Sequence, residues 1–543
     1  MSRTGMMAQL LRIARLAERC DRSGESAAEA IGQDGLRDQA RRRLMLGAVA
    51  ATTTAAAGVV APTALAATAK VSRTLYARMT RIRGVAVVGA GLAGLGCALE
   101  LARNGVGAKV FEAGTRVGGR CWSLRGFFPG QVAERGAEFI GGSHHAMLGY
   151  AREFGLQLEE FSRYPGLPYY HFQGRSYTEA QVVEEFRAFA DCIREDLNAL
   201  NHPTADRYTE ADSTFDFMSL DDYLLMYGAS GVLRHIIGAA YAAEFGARLD
   251  ELSAISFLRF VYGDRRSKFG AYGADRGDQF HVVDGTDRIT TAMAERLPVP
   301  VQLGHRLVAA RRMAGGRVRL TFDIGGRRVQ SDHDAVVLAL PFSVLRDVEL
   351  HSSLGLPAWK RLAISNAAMG DNSKTLVGFK QPYWYVRHER NGSGSADLAR
   401  LQTTWESNPI NGSDTRAVLS HLAGGALARS MLPGTVQADA RALLGDLDSV
   451  LPGAMESVQR DAKGQLLAVT ENWSANPLSK GSYSCPRPGY FTSVAHNEAK
   501  PVENVFFAGE HTSSFYEWQG FMEGAALSGL RAANEACNLM LGR

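Results

Sequence analysis

The stretch at residues 82–112, IRGVAVVGAGLAGLGCALELARNGVGAKVFE, decides the fold. An apolar run from Val85 to Val88 stops at Gly89, and glycines recur at Gly91 and Gly94. Apolar residues at helical spacing continue to Arg103, and a second strand-like run, Lys109 to Phe111, ends on Glu112. Strand, glycine turn, helix and strand in this order make a βαβ unit that holds a dinucleotide. Gly89 permits the tight turn, Gly91 lets the backbone approach a pyrophosphate, and Gly94 lets helix and strand pack closely. The helix N-terminus offers free N–H groups and a positive dipole end. Glu112 lies 21 residues after Gly91, where an acidic side chain meets a ribose hydroxyl.

Working outward, residues 113–120 (AGTRVGGR) form a turn with Gly118 and Gly119 between Arg116 and Arg120. Such a loop brings backbone N–H groups and a guanidinium close to phosphate or ring edges. Residues 136–142 (GAEFIGG) are a second glycine-bracketed segment. Residues 334–341 (DAVVLALP) read as the next buried strand, and 504–508 (NVFFA) as another. Gly509 and Glu510 follow, then a loop at 512–520, then FMEGA at 521–525 opening a helix to about Leu541.

The chain of 543 residues holds more than one domain's worth of core. Its 46% hydrophobic and 21% charged residues are ordinary for a globular protein. The net charge of +4 gives no support for nucleic-acid binding, since much of the basic excess lies in the first 43 residues. Six cysteines show no CxxC pair and no metal spacing, and no disulfide follows from them. Cys97, inside the first helix, reads as a small buried apolar residue.

Residues 1–40 carry a basic amphipathic patch, with Leu10, Leu11, Ile13, Ala14 and Leu16 among Arg12, Arg15 and Arg19. Arg41, Arg42 and Arg43 then precede an Ala/Thr/Val-rich run to Ala69, broken by Pro62. A charged region, a weakly apolar region and small-x-small sites at 64–66 and 67–69 have the shape of a signal peptide, here resembling a twin-arginine export signal. The partner implied is the twin-arginine export machinery, and the mature protein is expected in the periplasm or outside the cell. A retained membrane anchor is the other reading of the run.

Residues 145–265 show helical periodicity, with Val182, Val183, Phe186, Phe189, Ala190 and Ile193 at spacings of three and four. Leu220, Tyr223, Leu224 and Tyr227 repeat the pattern. Aromatic-rich stretches at 164–172 and 241–245 read as core packing. Residues 280–289 return toward the sheet through a DG turn. Strands are expected at 375–379, 417–421 and 466–471, a loop at 391–395 (NGSGS), and a helix over 436–451.

The 82–142 signature and the pairing of FAGE (507–510) with GFMEGA (520–525) resemble the flavin-dependent amine oxidase superfamily, which includes monoamine, polyamine and L-amino-acid oxidases. The resemblance implies a two-lobed α/β fold: a Rossmann-like FAD-binding domain in parts 82–145, 276–341 and 481–543, a mixed-sheet substrate domain at 342–480, and a helical insertion at 146–275. Residues 1–70 form the export segment. FAD then fills the dinucleotide site. Gly89, Gly91, Gly94, Glu112, Gly119, Arg120, Gly509, Glu510 and Met522 line it, and Val308 contacts the adenine. Lys374, on an otherwise apolar strand, matches the family lysine that holds a water near the flavin. Ser482 and Tyr483 match a Cys-Tyr pair whose cysteine links to flavin; serine forms no thioether, so FAD is expected to be noncovalent. Tyr483 and Phe521 become walls of an aromatic cage, with Trp518 as a third aromatic.

In venom-type L-amino-acid oxidases an arginine near GAEFI grips the carboxylate; Phe139 stands there here, with Arg135 close by and Arg163, Arg248 and Arg259 in the insertion. His144 and His145 line the entrance or lie exposed at a helix start. The expected reaction is oxidation of an amine-bearing carbon by dioxygen. An L-amino acid is the leading substrate and a mono- or polyamine the next. A monooxygenase or dehydrogenase, a non-catalytic flavin-binding module, and a homodimeric assembly are further possibilities.

Overall fold

The computed structural model of the chain describes residues 5–34, 84–160, 166–262, 279–408, 416–513 and 518–542. The 82–112 stretch forms strand Val85–Val88, helix Leu92–Arg103 and strand Ala108–Phe111. Four parallel strands make the first sheet, in the order Ala108–Phe111, Val85–Val88, Ala335–Leu338, Val505–Phe507. Every residue of the two central strands is buried, which is why both read as unbroken apolar runs rather than alternating ones. Helix Leu92–Arg103 packs on the C-terminal helix Met522–Leu541, so closely that a Cβ on Gly529 would sit 2.3 Å from the Ala93 carbonyl oxygen.

Residues 302–305 extend this sheet past its edge. The Gln302 N–H donates to Val110 O and the Glu112 N–H to Gln302 O, both at 2.9 Å. Strand Arg306–Arg312 then leaves for an antiparallel sheet with Val318–Ile324 and Arg327–His333. Its register shifts between Leu307 and Ala309, leaving Val308 at the irregularity.

The second lobe is a seven-stranded sheet ordered Ala468–Asn472, Asn372–Phe379, Ala417–Gly424, Thr403–Glu406, Arg390–Ala396, Leu167–Phe172, Arg175–Tyr177. Two expectations are corrected here. The NGSGS stretch is a strand, not a loop, because its glycines admit rings: a Cβ on Gly394 would lie 2.2 Å from the Tyr169 ring, and one on Gly392 3.0 Å from Trp384 Nε1. The aromatic run at 164–172 is strand from Leu167 onward, in a region expected to be helical; Tyr169, Tyr170 and Phe172 are buried there.

Beside the short strands Leu158–Glu160 and Arg175–Tyr177, the insertion carries helices Glu179–Ala199, Glu210–Phe217, Leu220–Met226, Gly231–Phe245 and Ala254–Tyr262. Thr178 starts the first of these through a capping box with Gln181. Phe189, Tyr223 and Tyr241 converge on the Phe257 ring at 5.8–6.4 Å, the core packing expected of these aromatics.

Helix Gly5–Ser23 lies against this insertion, burying Leu10, Ile13, Leu16 and Ala17. Arg12 pairs with Glu179 at 2.7 Å, and the Ala27 N–H donates to Glu184 at 3.2 Å. The apolar face read as part of an export segment is thus packed on the folded domain. Arg41–Arg43 and the apolar run to Ala69 lie outside the described residues. Among the described residues no helix is long and apolar enough to cross a membrane.

Candidate functional site

The glycine turn builds a cradle. Gly89 has φ +104°, and a Cβ there would sit 2.5 Å from the Ala339 carbonyl oxygen. A Cβ on Gly94 would sit 1.9 Å from Gly89 O, so only glycine lets the helix start this close to the strand. Gly91, the N-cap, differs: no protein atom lies within 4 Å of its would-be Cβ, which leaves open space before the helix N-terminus. The second glycine turn closes on the first. The Gly118 N–H donates to Ala90 O at 2.8 Å, and a Cβ on Gly119 would be 3.3 Å from Gly91 Cα.

Glu112 joins the two turns. Its carboxylate accepts from the Ala90 N–H at 2.8 Å and the Gly114 N–H at 2.7 Å, leaving lone pairs for a hydroxyl. An open cleft lined by backbone, at a helix N-terminus and beside a fixed carboxylate, fits the pyrophosphate and ribose of FAD. Val308, in strand Arg306–Arg312, comes three residues after His305, whose N–H donates to Glu112 O at 2.8 Å.

At the other end, Arg120 pairs with Glu510 at 2.8 Å and also donates to the Ser482 carbonyl. The second Glu510 oxygen accepts from the Gly520 N–H at 2.6 Å and the Ser484 hydroxyl. Burial alone would raise the Glu510 carboxyl, but Arg120, His511 and these donors bring it below its usual value. This cluster fixes the loop from which Phe521, as N-cap, and Met522 open the C-terminal helix. Gly509, at φ +134°, donates its N–H to the Ser528 hydroxyl of that helix at 3.0 Å.

Lys374 sits on strand Asn372–Phe379, all of whose residues are buried. Its ammonium pairs with Glu138, reaches Gly136 O at 3.5 Å and lies 5.0 Å from the Trp405 ring centre. Trp405 Nε1 donates to the other Glu138 oxygen at 3.0 Å. Glu134 lies on the same segment; burial, added to by the Glu138 charge and opposed by Thr286, Ser123 and Lys374, pushes its carboxyl up to about 7. Glu138 and Trp405 were not singled out in the sequence. The signal for Glu138 was an acid inside the apolar, glycine-bracketed GAEFIGG; Trp405 gave none.

The structure brings Phe521 and Trp518 together with His144, whose ring meets theirs edge-on at 5.5 and 5.4 Å. Trp518 therefore packs here. His144 is buried, not an exposed helix start; burial drops its pKa to about 3, and Nδ1 accepts the Gly141 N–H. His145 is exposed. Tyr483 donates its hydroxyl to Ala243 O of the insertion at 2.6 Å, while Ser482 donates to Gly370 O and Asn372 Oδ1. Of the arginines considered for a carboxylate, Arg135 pairs with Glu471 at 3.3 Å and stacks on Trp122. Arg248 is exposed and pairs with Asp250, Arg259 meets His202, and Arg163 is outside the described residues. Among the described residues no cluster of His, Cys, Asp and Glu could hold a metal ion.

Comparison with known proteins agrees with this geometry. The family model for flavin-containing amine oxidoreductases matches residues 92–537. The Mycobacterium tuberculosis protein AofH, provisionally named a flavin-containing monoamine oxidase, is 28% identical over 84% of this chain and 97% of its own length. Mouse L-amino-acid oxidase is 25% identical over 84% of this chain and 71% of its own. Cyclohexylamine oxidase from Brevibacterium oxydans shares the fold, with a TM-score of 0.71 at 20% identity over 85% of this chain and all of that one. The chain is an FAD-binding oxidoreductase and belongs to the flavin-containing amine oxidoreductase family.

Proposed function

We propose that the protein oxidises the carbon bearing a primary amine to an imine, which water hydrolyses to a carbonyl compound and ammonia, while dioxygen is reduced to hydrogen peroxide. Bound FAD supplies the two-electron acceptor for this chemistry. The residues of the chain position and desolvate. Phe521, Trp518 and Tyr483 give the amine a dry aromatic surface, which favours its neutral form. Lys374 holds a water that serves imine hydrolysis and reoxidation. Glu112 and the glycine turns hold the adenosine end, and Arg120 with Glu510 holds the flavin end.

The observation that carries this reading is the buried Lys374–Glu138 pair under Trp405. With Glu134 nearby, the site has two carboxyl groups and one ammonium. That balance disfavours a substrate carboxylate, as do the ties of Arg135 to Glu471 and Trp122. A simple amine is therefore the substrate class the site favours. The L-amino acid is the second reading, supported by the long helical insertion and by a relative named L-amino-acid oxidase.

Peroxide release assayed against amino acids and their decarboxylated amines separates the two. Turnover of the amines alone is expected, and turnover confined to amino acids would reverse the order. Ser482 leaves FAD noncovalent, so acid precipitation is expected to release all the flavin into the supernatant.

A further inference from the structure

We propose that Asn372 is a positioning residue for Tyr483: its side chain clamps the last turn of helix Gly231–Phe245, and the Ala243 carbonyl in that turn sets the Tyr483 ring. Asn372 is 1% exposed and opens the strand that carries Lys374. Its Nδ2 donates to Ala243 O at 3.1 Å, Ala242 O at 3.2 Å and Ala423 O at 3.3 Å, and its Oδ1 accepts the Ser482 hydroxyl at 2.6 Å. The amide has one orientation open to it, because turning it over would set an oxygen against three carbonyls.

Ala243 lies in the last turn of its helix, where carbonyls run out of helical N–H groups to accept. Asn372 and the Tyr483 hydroxyl, the latter at 2.6 Å, serve that oxygen together. A carbonyl has two lone pairs, so both donors fit at once. Packing supports the turn from one side, where Ala243 clusters with Phe139, Trp405 and Leu422. On the other side the helix borders a cavity of about 510 Å³, lined by Gly238, Ala239 and Ala242 of the helix and by Leu249, Asp397 and Gln402. The Asp371 N–H donates to Gly246 O at 2.9 Å, three residues further on, so the direction of the Ala243 carbonyl itself depends on Asn372.

The same side chain reaches the flavin end. Ser482, tied to Asn372 through its hydroxyl, accepts Arg120 on its carbonyl, and Arg120 pairs with Glu510. Asn372 thus stands between the helical insertion and the residues that hold the cofactor. Without its N–H donors the Ala243 carbonyl turns, and the Tyr483 hydroxyl follows it, tilting the ring that walls the amine.

Asn372→Leu, close to asparagine in size and without its hydrogen bonds, tests the proposal in holoprotein alongside Tyr483→Phe and the double variant; Asn372→Ala takes its place if the leucine variant does not fold. With the tyrosines isotope-labelled at Cζ, the nuclear-resonance line of Tyr483 is the one missing from Tyr483→Phe. Loss of Asn372 should shift or broaden that line and leave the tyrosine lines as a whole in place. An unmoved Tyr483 line, or movement of every tyrosine line, would overturn the proposal. The kinetic arm rests on the proposed amine oxidation. In anaerobic stopped flow with benzylamine, butylamine and L-phenylalanine as donors, Asn372→Leu and Tyr483→Phe should each slow flavin reduction about tenfold, as the loss of one hydrogen bond does. The double variant should be no slower than either single one, and reoxidation by dioxygen should keep the wild-type rate. Losses that multiply in the double variant, or reduction unslowed without Asn372, would also overturn the proposal. A wild type that none of these donors reduces removes the oxidation reading, and the Tyr483 line still decides the clamp.

Discussion

At the scale of single residues, Lys374 and Glu138 set the character of the site. Each side chain is 3% exposed, so neither charge is tolerable alone. Lys374→Met is expected to cost about 3–5 kcal/mol in urea unfolding, and adding Glu138→Gln to return most of it. Equal losses in the single and double variants would show the pair to be uncoupled. In stopped flow, Lys374→Met should also slow reoxidation by dioxygen; unchanged oxygen reactivity would remove its proposed role. Glu134 gives a pH signature. Its carboxyl titrates near 7 when folded against 4.5 when free. Between those values the folded state keeps a proton that the unfolded chain has released, so this group's contribution to stability falls as pH rises from 4.5 to 7. Glu134→Gln should abolish that slope, on the order of 3 kcal/mol across the window. A variant that keeps the wild-type slope would place the titration elsewhere. Lys374 was legible in the sequence but its partner was not, because the Lys374–Glu138 contact spans 236 positions and Glu134 acquires its environment only on folding.

Elements were more legible, and the reason is local. The 82–112 unit was readable because its glycines, apolar runs and acid each answer a constraint inside the same thirty residues. Gly91 and Gly94 divide those constraints. Gly91→Ala meets no protein atom, so the apoprotein should stay folded while FAD binding is lost; Gly94→Ala meets Gly89 O and should cost both. Comparing melting temperature with flavin content checks this, and a Gly91→Ala protein that retains full flavin would refute the cleft. Strand Arg390–Ala396 was misread because its glycines serve ring contacts made elsewhere in the fold, with Tyr169 and Trp384. Helix Gly5–Ser23 reads as part of an export region, and in the fold its apolar face packs on the insertion. Deleting residues 1–34 should uncover Leu10, Leu11, Ile13 and Leu16 contacts, each worth about 1.5–3 kcal/mol. A truncated protein with wild-type melting would show the helix to be dispensable.

Across the whole molecule, the two glycine turns, the Arg120–Glu510 cluster and Lys374 come from three distant parts of the chain and are joined through residues 118–138, Arg120 to Glu510 and Glu138 to Lys374. The sequence named most of these residues because each lies in a short motif, but it could not supply their neighbours. Buried neutral imidazoles also shape the whole. His144 and His421 are held to about 3, and His333 and His511 to about 4, by burial. Unfolded, each takes a proton near 6.5, so stability from these groups is lost as pH falls from 6.5 toward 3. Glu134, Asp216, Glu498, Glu523 and Glu535, all raised by burial, act in the opposite sense at the upper end of that range. The central claim, that this is an amine-oxidising flavoenzyme, is tested most directly by following flavin absorbance anaerobically. Adding a primary amine should bleach the oxidised flavin band, and admitting air should restore it with release of one hydrogen peroxide per flavin. A band unchanged by every amine and amino acid tried would contradict the account.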